Sequence, residues 1–255
     1  MPARVVGLSL AFVWASAAMA IEDRADNDPS EPDEDGTIAW KLTATHLHET
    51  ALRSAFDLNL RGNEGANTFW IGHYQRGTEF RQTRAGYERQ LEIPIGRIIA
   101  SAQLATHGFA GGSVTAELGK GAAFALAGWG RTNLKTYYNL NFDPNDSILL
   151  GAGWRAAKDT TVTLYQIHDD RLDTGQRVTH LVLRTKPDRR TRWTVDLFHK
   201  RGHGDVDDAG ERQSFRGTGL AVAYDFDRYF VKAAWDPKVN FTNSDMLRLA
   251  GGLRF

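Results

Sequence analysis

The chain ends on SDMLRLAGGLRF, at residues 244–255, and this stretch decides the fold. Counting back in twos from the last residue gives Phe255, Leu253, Gly251, Leu249 and Leu247. The positions between them include Arg248 and Arg254, so polar and apolar residues alternate. Alternation with a period of two predicts a β-strand with two different faces.

A terminal phenylalanine that closes such an alternation resembles the last strand of bacterial outer-membrane β-barrel proteins. The resemblance implies an all-β fold, namely a transmembrane, antiparallel, up-and-down β-barrel. It also implies a location in the cell outer membrane, surrounded by outer-membrane lipids and lipopolysaccharide. A further implied partner is the barrel-assembly machinery, which would engage the C-terminal strand. The resemblance implies no particular activity or substrate.

The N-terminal segment predicts export. Arg4 gives residues 1–20 a positive start, residues 5–15 are largely apolar, and Ala18-Met19-Ala20 fits the small-x-small cleavage pattern of a signal peptide. This apolar run is too short to span a bilayer as a helix. The chain has no cysteine, so a lipid-anchored N-terminus at the cleavage site is excluded.

Residues 21–36 contain eight acidic residues and one base, with almost nothing apolar. Such a segment buries too little surface to offset its ordering entropy, so we predict a disordered acidic leader. A solvated leader is favoured over one that enters the barrel as a plug. Because the formal net charge of the whole chain is zero, the predicted barrel at residues 37–255 is net positive.

Beyond the leader the sequence shows alternating segments of about ten residues separated by turn residues, which is typical of a transmembrane barrel. Counting back from the C-terminus predicts fourteen strands, with twelve as the alternative if weak segments near 79–106 merge. The segments are 37–48, 51–61, 67–76, 79–91, 95–106, 110–118, 122–132, 147–156, 160–168, 175–186, 191–200, 214–226, 228–236 and 244–255.

Strand parity predicts which connections face the periplasm. With both termini there, the short connections near 157–159, 186–189 and 225–228 are periplasmic turns, and the longer ones at 133–146, 169–174, 201–213 and 237–243 are outer loops. This rule fits the first half of the chain less well, since its outer loops would be very short. The YYNLNF stretch at 137–142 is interpreted as a strand extension above the membrane.

Charged residues on the strand faces opposite the apolar ones predict the wall of a lumen. The strongest candidates for lumen-lining groups are Arg61, Arg84, Glu88, Arg155, Arg184, Asp196, Lys232 and Arg248. The same faces also carry Arg53, Asp57, Asn59, Arg97, Gln103, Glu117, His180, Lys200, Asp225 and Arg254. A water-filled pore is favoured over a lumen closed by internal salt bridges, and the excess of bases favours anions.

These features predict a passive, porin-like channel, or a barrel accessory to polymer export, that conducts small polar or anionic solutes. The alternatives are a lipid-modifying enzyme and a closed structural or adhesive barrel. An enzyme needs a nucleophile beside a base. The candidate pairs, His107 with Ser113 and His199 with Asp196 and Ser214, are loosely spaced, so no catalytic residue is predicted.

Metal ligation is the remaining chemistry to consider. The stretch RGHGDVDDAGER at 201–212 clusters carboxylates that calcium prefers, but its spacing is not that of a DxDxDG loop. His168-Asp169-Asp170 is a weaker case, and His46 with His48 offers only two ligands. We therefore predict no metal site and no cofactor. The sequence contains no motif for binding nucleic acid.

Overall fold

The computed structural model describes residues 38–50, 52–138, 143–206 and 211–255, without the side chains of 205 and 206. The signal-peptide and leader predictions lie outside these residues. The described chain forms fourteen β-strands in one closed barrel, so the twelve-strand alternative is wrong. The strands are β1 Ala39–Glu49, β2 Ala55–Glu64, β3 Asn67–Arg76, β4 Phe80–Ile93, β5 Gly96–Ala105, β6 Phe109–Leu118, β7 Ala123–Thr132, β8 Ser147–Ala157, β9 Thr160–Asp169, β10 Arg177–Thr185, β11 Thr191–Val206, β12 Arg212–Phe226, β13 Tyr229–Asp236 and β14 Met246–Arg254.

Every strand pairs antiparallel with its neighbours in sequence, and β14 pairs with β1 to close the ring. The terminal residue takes part in this closure. The Trp40 backbone N–H donates to the Phe255 carbonyl at 2.8 Å, and the Phe255 N–H donates to the Trp40 carbonyl at 3.0 Å. The predicted pairing of the first and last strands is therefore confirmed. A closed barrel satisfies its backbone groups without an exposed edge, which a hydrocarbon environment demands.

The outer face is apolar, as the alternation predicts. Large exposed side chains follow every second position, and the leucines of the last strand are among them. Aromatic residues on this face concentrate where strands leave the apolar band, as in the interfacial girdles of membrane barrels. The exposed aromatic residues include Tyr87, Trp154, Trp193, Tyr229, Trp235 and Phe255. None of the described helical segments is long or apolar enough to cross a bilayer.

The two ends of the barrel differ as parity predicts. At one end, which also holds residue 38 and Phe255, the connections are turns such as 65–66 and 227–228; we call this the turn end. At the other, the loop end, the connections include 133–146, 170–176 and 237–245. The first-half connections at the loop end are short, at 77–79 and 106–108, so this half departs from the length rule in the structure as well.

The β11–β12 hairpin corrects one boundary. The sequence predicts a loop over 201–213, but β11 continues to Val206 and β12 begins at Arg212. Gly202 and Gly204 interrupt the apolar alternation there, so the sequence pattern stops at residue 200 although the strand continues. The register shifts between His203 and Val206, so a bulge ends the regular ladder. The hairpin is thus the longest of the barrel and extends its wall at the loop end.

Glycines on the inner face let large rings lie flat against the wall. A Cβ added at Gly86 would meet the Trp70 indole at 2.5 Å. A Cβ at Gly153 would likewise overlap the Phe124 ring. Such close approach of a ring to the backbone requires glycine. These rings fill part of the interior and narrow the lumen.

Candidate functional site

The eight strongest lumen candidates all lie on the inner face of the barrel. Each shares the strand parity of residues that are buried inside the ring, opposite the exposed apolar face. Arg53 was also assigned to the lumen, but it precedes β2 and its side chain is 72% exposed, so that assignment is wrong. Arg61, Arg84, Glu88 and Asp196 are almost fully buried. Arg155, Arg184, Lys232 and Arg248 are half-buried. The alternation therefore places all eight side chains inside the barrel, although burial alone assigns none of them a role in conduction.

Several of these side chains are engaged in ion pairs across neighbouring strands. The Arg84 guanidinium contacts both Asp57 carboxylate oxygens. The Arg155 guanidinium bonds to Glu117, which also accepts from Arg97 at 2.7 Å. The sequence predicts that Arg84 and Arg155 line the lumen and contact a solute. This prediction needs correction, because both guanidinium groups also bind carboxylates of the wall. Ionised groups out of bulk water need such partners.

One wall of the lumen carries a basic surface. Lys41 lies directly opposite Arg254 on β14 and opposite Arg61 on β2, so three bases form one row near the turn end. We define the basic seam as this row together with Lys232 and Arg248, which lie farther toward the loop end on β13 and β14. Lys41 and Arg254 both sit over the Phe230 ring, at 4.8 and 5.0 Å from its centroid.

Acidic groups offset only part of this charge. Glu88 lies 3.7 Å from the Arg61 guanidinium, and Asp225 bonds to Arg254. Arg192 also approaches Asp225, at 3.5 Å. Within the described strands β13, β14, β1 and β2, the inner face contains more bases than acids. The seam therefore gives the lumen a net positive wall.

The opposite wall carries an apolar cluster, a feature that the sequence did not predict. Phe124, Leu126, Leu149, Tyr165, Ile167 and Val182 form one buried cluster on the inner faces of β7 to β10. In a ring of fourteen strands, β7 and β8 lie across from β14 and β1. Trp129 faces outward, so the residues of β7 that alternate with it, including Phe124 and Leu126, face inward. The alternation around Trp129 could therefore have predicted these two inward positions from the sequence. The lumen therefore has one basic wall and, across from it, a wall with a buried apolar cluster.

The long connection between β7 and β8 turns into the barrel over the parts that the structure describes. We call its described parts, residues 133–138 and 143–146, the bridging segment. The Tyr138 backbone N–H donates to Gln82 Oε1 at 2.7 Å, and Gln82 Nε2 donates to the Thr136 carbonyl at 2.9 Å. Arg84 Nη1 donates to the Tyr138 carbonyl at 3.0 Å. These contacts fix one part of the segment against β4.

Two tyrosines of the bridging segment are inserted among wall side chains. The Tyr138 ring stacks on Tyr74 with a centroid distance of 3.7 Å, and the Tyr137 ring stacks on Phe109 at 4.2 Å. The Tyr137 hydroxyl donates to Gln103 Oε1 at 3.2 Å. Burial raises the pKa of Tyr137 to about 12, so the hydroxyl keeps its proton at neutral pH.

The interpretation of 137–142 as a strand extension above the membrane is therefore wrong for Tyr137 and Tyr138. Neither residue is in a strand, and Tyr137 is almost fully buried. Residues 139–142 lie outside the described chain. Local alternation reads the same whether a segment rises above the barrel or turns into it, because the difference depends on partners such as Gln82 that are distant in sequence.

The far part of the bridging segment reaches the other side of the lumen. Asp143 Oδ1 lies 3.3 Å from His180 Nε2, and the other ring nitrogen of His180 lies 2.9 Å from Asp196 Oδ2. Only a protonated imidazole donates from both nitrogens, which satisfies the two carboxylates together. Since β4 and β10 lie on different sides of the ring, the two described parts of the bridging segment contact different walls of the lumen.

A second connection, residues 237–245, also turns inward, and we call it the cap segment. Val239 is fully buried against Leu47 and Tyr74, whereas Phe241 packs against Phe198 on β11. Asn240 and Phe241 adopt left-handed backbone angles, which bend the segment sharply. The cap segment and the described parts of the bridging segment therefore both pack inside the barrel at the loop end.

A buried ion pair supports the cap segment. Lys200 and Asp236 bond to each other and are both about 1% exposed. The ammonium group also lies 5.9 Å from the centroid of Phe241. Lys200 and Asp236 are therefore structural groups of the loop end.

The loosely spaced catalytic candidates do not come together. Ser113 faces inward and bonds to Ser101, while His107 lies in the outer turn after β5. His199 faces outward and contacts Thr218, whereas Asp196 faces inward. Their separation follows from strand parity, which puts neighbouring residues on opposite faces.

The metal candidates also separate. Asp169 accepts from Thr174 and the backbone of its own turn, and Asp170 binds Arg131. The carboxylates at 207–208 lie outside the described residues. Across the parts of the chain that the structure describes, no three His, Asp or Glu side chains are grouped to hold a metal ion.

Comparison with known proteins supports the fold and leaves the activity open. No family model and no curated protein matches the chain. Among solved structures, the chain is similar to the outer membrane protein Omp33 of Acinetobacter baumannii, with 8% identity and a TM-score of 0.54 over 87% of this chain and 100% of that one. The KdgM porin (8% identity, TM-score 0.45, 84% and 99%) and the NanC porin (7%, 0.45, 84% and 100%) are also similar.

The Omp33 match carries the argument, and at that identity it concerns the fold alone. The chain has the closed, antiparallel barrel of bacterial outer-membrane proteins. The resemblance seen in the C-terminal strand is therefore confirmed at the level of architecture, without a specific subfamily.

Proposed function

We propose that this protein is an outer-membrane channel that conducts small polar solutes, prefers anions, and is restricted at its loop end by the bridging segment. One observation carries the proposal: the basic seam lines one wall of a fourteen-stranded barrel, opposite a wall with a buried apolar cluster. Low-dielectric walls focus the field of such charges into the lumen and raise the local concentration of counter-ions.

The division of the lumen explains why conduction would be selective. The charged side chains of the seam offer contacts to an anion, whereas the buried cluster on the opposite wall consists of uncharged side chains. Paired groups such as Arg84 with Asp57 contribute little net field because their charges cancel at short range. Selectivity therefore depends on the excess of bases over acids along the basic seam, to which Lys41, Lys232 and Arg248 contribute.

Charge neutralisation in the seam tests the proposal. We expect the double variant Lys232→Gln/Arg248→Gln to shift the reversal potential toward cations in planar bilayers under a salt gradient. An ideally selective pore in a tenfold gradient gives about 60 mV, since tenfold is about 1.4 kcal/mol and 100 mV about 2.3 kcal/mol per charge.

The matched control is Lys120→Gln/Lys158→Gln, which removes two charges from exposed turns outside the lumen. We expect this control to keep the wild-type reversal potential. Equal shifts in both variants would contradict the role of the seam, because only total charge would then matter.

A closed structural barrel is the second candidate function, and a specific observation favours it. Both the bridging and cap segments are anchored inside the barrel, and most inner acids have a basic partner. This candidate predicts flat current even in variants that weaken the bridging segment. A channel restricted by that segment predicts larger currents in the same variants.

The location in the outer membrane and the cleaved signal peptide form part of the same proposal. The supporting observations are the apolar outer face and the cleavage pattern at 18–20. Membrane fractionation and N-terminal mass analysis test them. We expect a mature chain that begins at Ile21; a protein that retains its first twenty residues would contradict the predicted cleavage.

A further inference from the structure

The outer surface carries a row of arginines that the channel proposal does not use. Arg177 lies directly opposite Arg201, and Arg201 lies directly opposite Arg216. Arg177 is also opposite His168 on β9. All three arginines are exposed. They face outward, because their parity matches the exposed leucines lower on β10, β11 and β12.

This row places like charges at the shortest cross-strand spacing. Facing Cβ atoms on paired strands lie about 5 Å apart, and like charges there destabilise a sheet. The acidic side chains at the start of the β9–β10 connection are engaged elsewhere: Asp170 binds Arg131 and Asp169 accepts from Thr174. Among the residues that the structure describes, no carboxylate forms an ion pair with Arg177, Arg201 or Arg216.

The surface below the row changes in two steps toward the membrane centre. Two residues down the strands lie polar groups that bond to one another, with Gln166 donating to Thr179 and His199 contacting Thr218 at 2.9 Å. Two residues farther lies a row of exposed leucines on the same four strands. The leucine row is Leu164, Leu181, Leu197 and Leu220, each opposite the next.

The order of these rows matches an amphipathic anion. Four residues along a strand, from Arg177 to Leu181, span about 13 Å. Guanidinium groups bind phosphate through paired N–H donors and tolerate a partly dry surface. The leucines offer contact to acyl chains, and the hydroxyl and imidazole groups between them offer hydrogen bonds to a sugar or glycerol headgroup.

We propose that Arg177, Arg201 and Arg216 form a binding site for the phosphate of a phosphorylated glycolipid in the leaflet that surrounds the loop end. The bound phosphate supplies a counter-charge that no carboxylate of the described residues supplies by an ion pair. The site is independent of conduction, because it lies on the outer face and none of its residues reaches the lumen.

Binding of diphosphoryl lipid A to the purified, detergent-solubilised full chain tests the site. We expect Arg177→Gln/Arg201→Gln/Arg216→Gln to weaken binding by about 100-fold, from roughly 1 kcal/mol for each basic residue near a lipid surface. The matched control changes three exposed cations elsewhere at the loop end, as Arg53→Gln/Arg81→Gln/Lys135→Gln. We call the triple arginine variant the row variant. If the control binds lipid A as weakly as the row variant does, the proposal is overturned.

Two further measurements distinguish a lipid site from a site for free anions. The same lipid without its phosphates should bind the wild-type chain about as weakly as lipid A binds the row variant. Inorganic phosphate alone should not compete at equal concentration; full competition would show a free-anion site and overturn the lipid assignment.

The midpoint of thermal unfolding, measured with and without lipid A, distinguishes a lipid-binding arginine from one with only a structural role. In lipid-free neutral detergent, Arg201→Gln should raise the midpoint of thermal unfolding, because it removes two repulsions. With saturating lipid A the order should reverse, with the wild-type chain the more stable. If Arg201→Gln lowers the midpoint in both conditions, the row is not a lipid site.

Discussion

Removal of the Tyr138 ring should open the channel. This ring stacks on Tyr74 at 3.7 Å and is part of the contact that holds the bridging segment against β4. Aromatic truncations in a core cost about 3–5 kcal/mol, and ring pairs add about 1 kcal/mol. Because Tyr138 is only half-buried, we take about 2 kcal/mol as the stabilisation that Tyr138→Ala removes from the closed arrangement.

A loss of about 2 kcal/mol multiplies the ratio of open to closed channels by about 30. Single-channel recording in planar bilayers measures this ratio as open probability at fixed voltage. We expect frequent long openings in Tyr138→Ala where the wild-type chain shows rare ones. The backbone bond from Tyr138 to Gln82 survives the substitution, so the segment is loosened and the barrel itself stays intact.

The matched control is Tyr224→Ala. Tyr224 is also half-buried and loses an aromatic partner, Trp193 at 4.4 Å, but it lies on the outer surface at the turn end. Its truncation should leave the open probability unchanged. If Tyr138→Ala and Tyr224→Ala behave alike, the bridging segment does not restrict conduction.

Two other perturbations test the wall itself. Lys200→Met leaves Asp236 buried without its partner, so we expect a loss of about 3–5 kcal/mol and a lower temperature of heat-induced unfolding on gels. Lys200→Met/Asp236→Leu should recover much of that loss, and a double variant as unstable as the single one would argue against charge burial as the cause. Gly86→Ala should cost about 1–3 kcal/mol, because its methyl group meets the Trp70 indole. In the control Gly251→Ala, the added methyl group would lie 3.7 Å from its nearest neighbouring atom, so the unfolding temperature should not change. Equal effects of Gly86→Ala and Gly251→Ala would exclude the clash as the cause.

Strand positions were predictable because lipid imposes a strict rule. Each strand must place apolar side chains outward, so the alternation is visible in the sequence and its phase fixes the face of every residue. The segment predicted at 67–76 has the same limits in the structure. The limits of β11 were not predictable, because Gly202 and Gly204 carry no apolar signal where the hairpin rises beyond the membrane.

The strand face on which each side chain lies was predictable from the sequence, but its contact partners were not. The sequence places Arg84 and Asp57 on the inner face, yet their contact depends on the register of β2, β3 and β4 together. Lys41 belongs to the basic seam and was missed among the strongest candidates. Lys41 lies between the apolar residues Trp40 and Leu42. The period-two alternation that identified the other lumen residues would therefore have assigned Lys41 to the lumen as well.

The inward path of the two loop-end segments was the least predictable feature. Tyr137 and Tyr138 read equally well as part of a strand, and Val239 and Phe241 look like ordinary loop residues. Their burial depends on Gln82, Gln103 and other wall groups that are far away in sequence. The sequence shows which residues face the lumen but not which segments fill it.

Selective solute flux tests the central claim most directly. Proteoliposomes containing the full mature chain should take up a small monovalent carboxylate faster than a monovalent ammonium compound of matched size, because the basic seam attracts the carboxylate into the lumen. The account predicts this order of rates and its loss in high salt. Equal rates at low salt, or faster uptake of the cation, would contradict it.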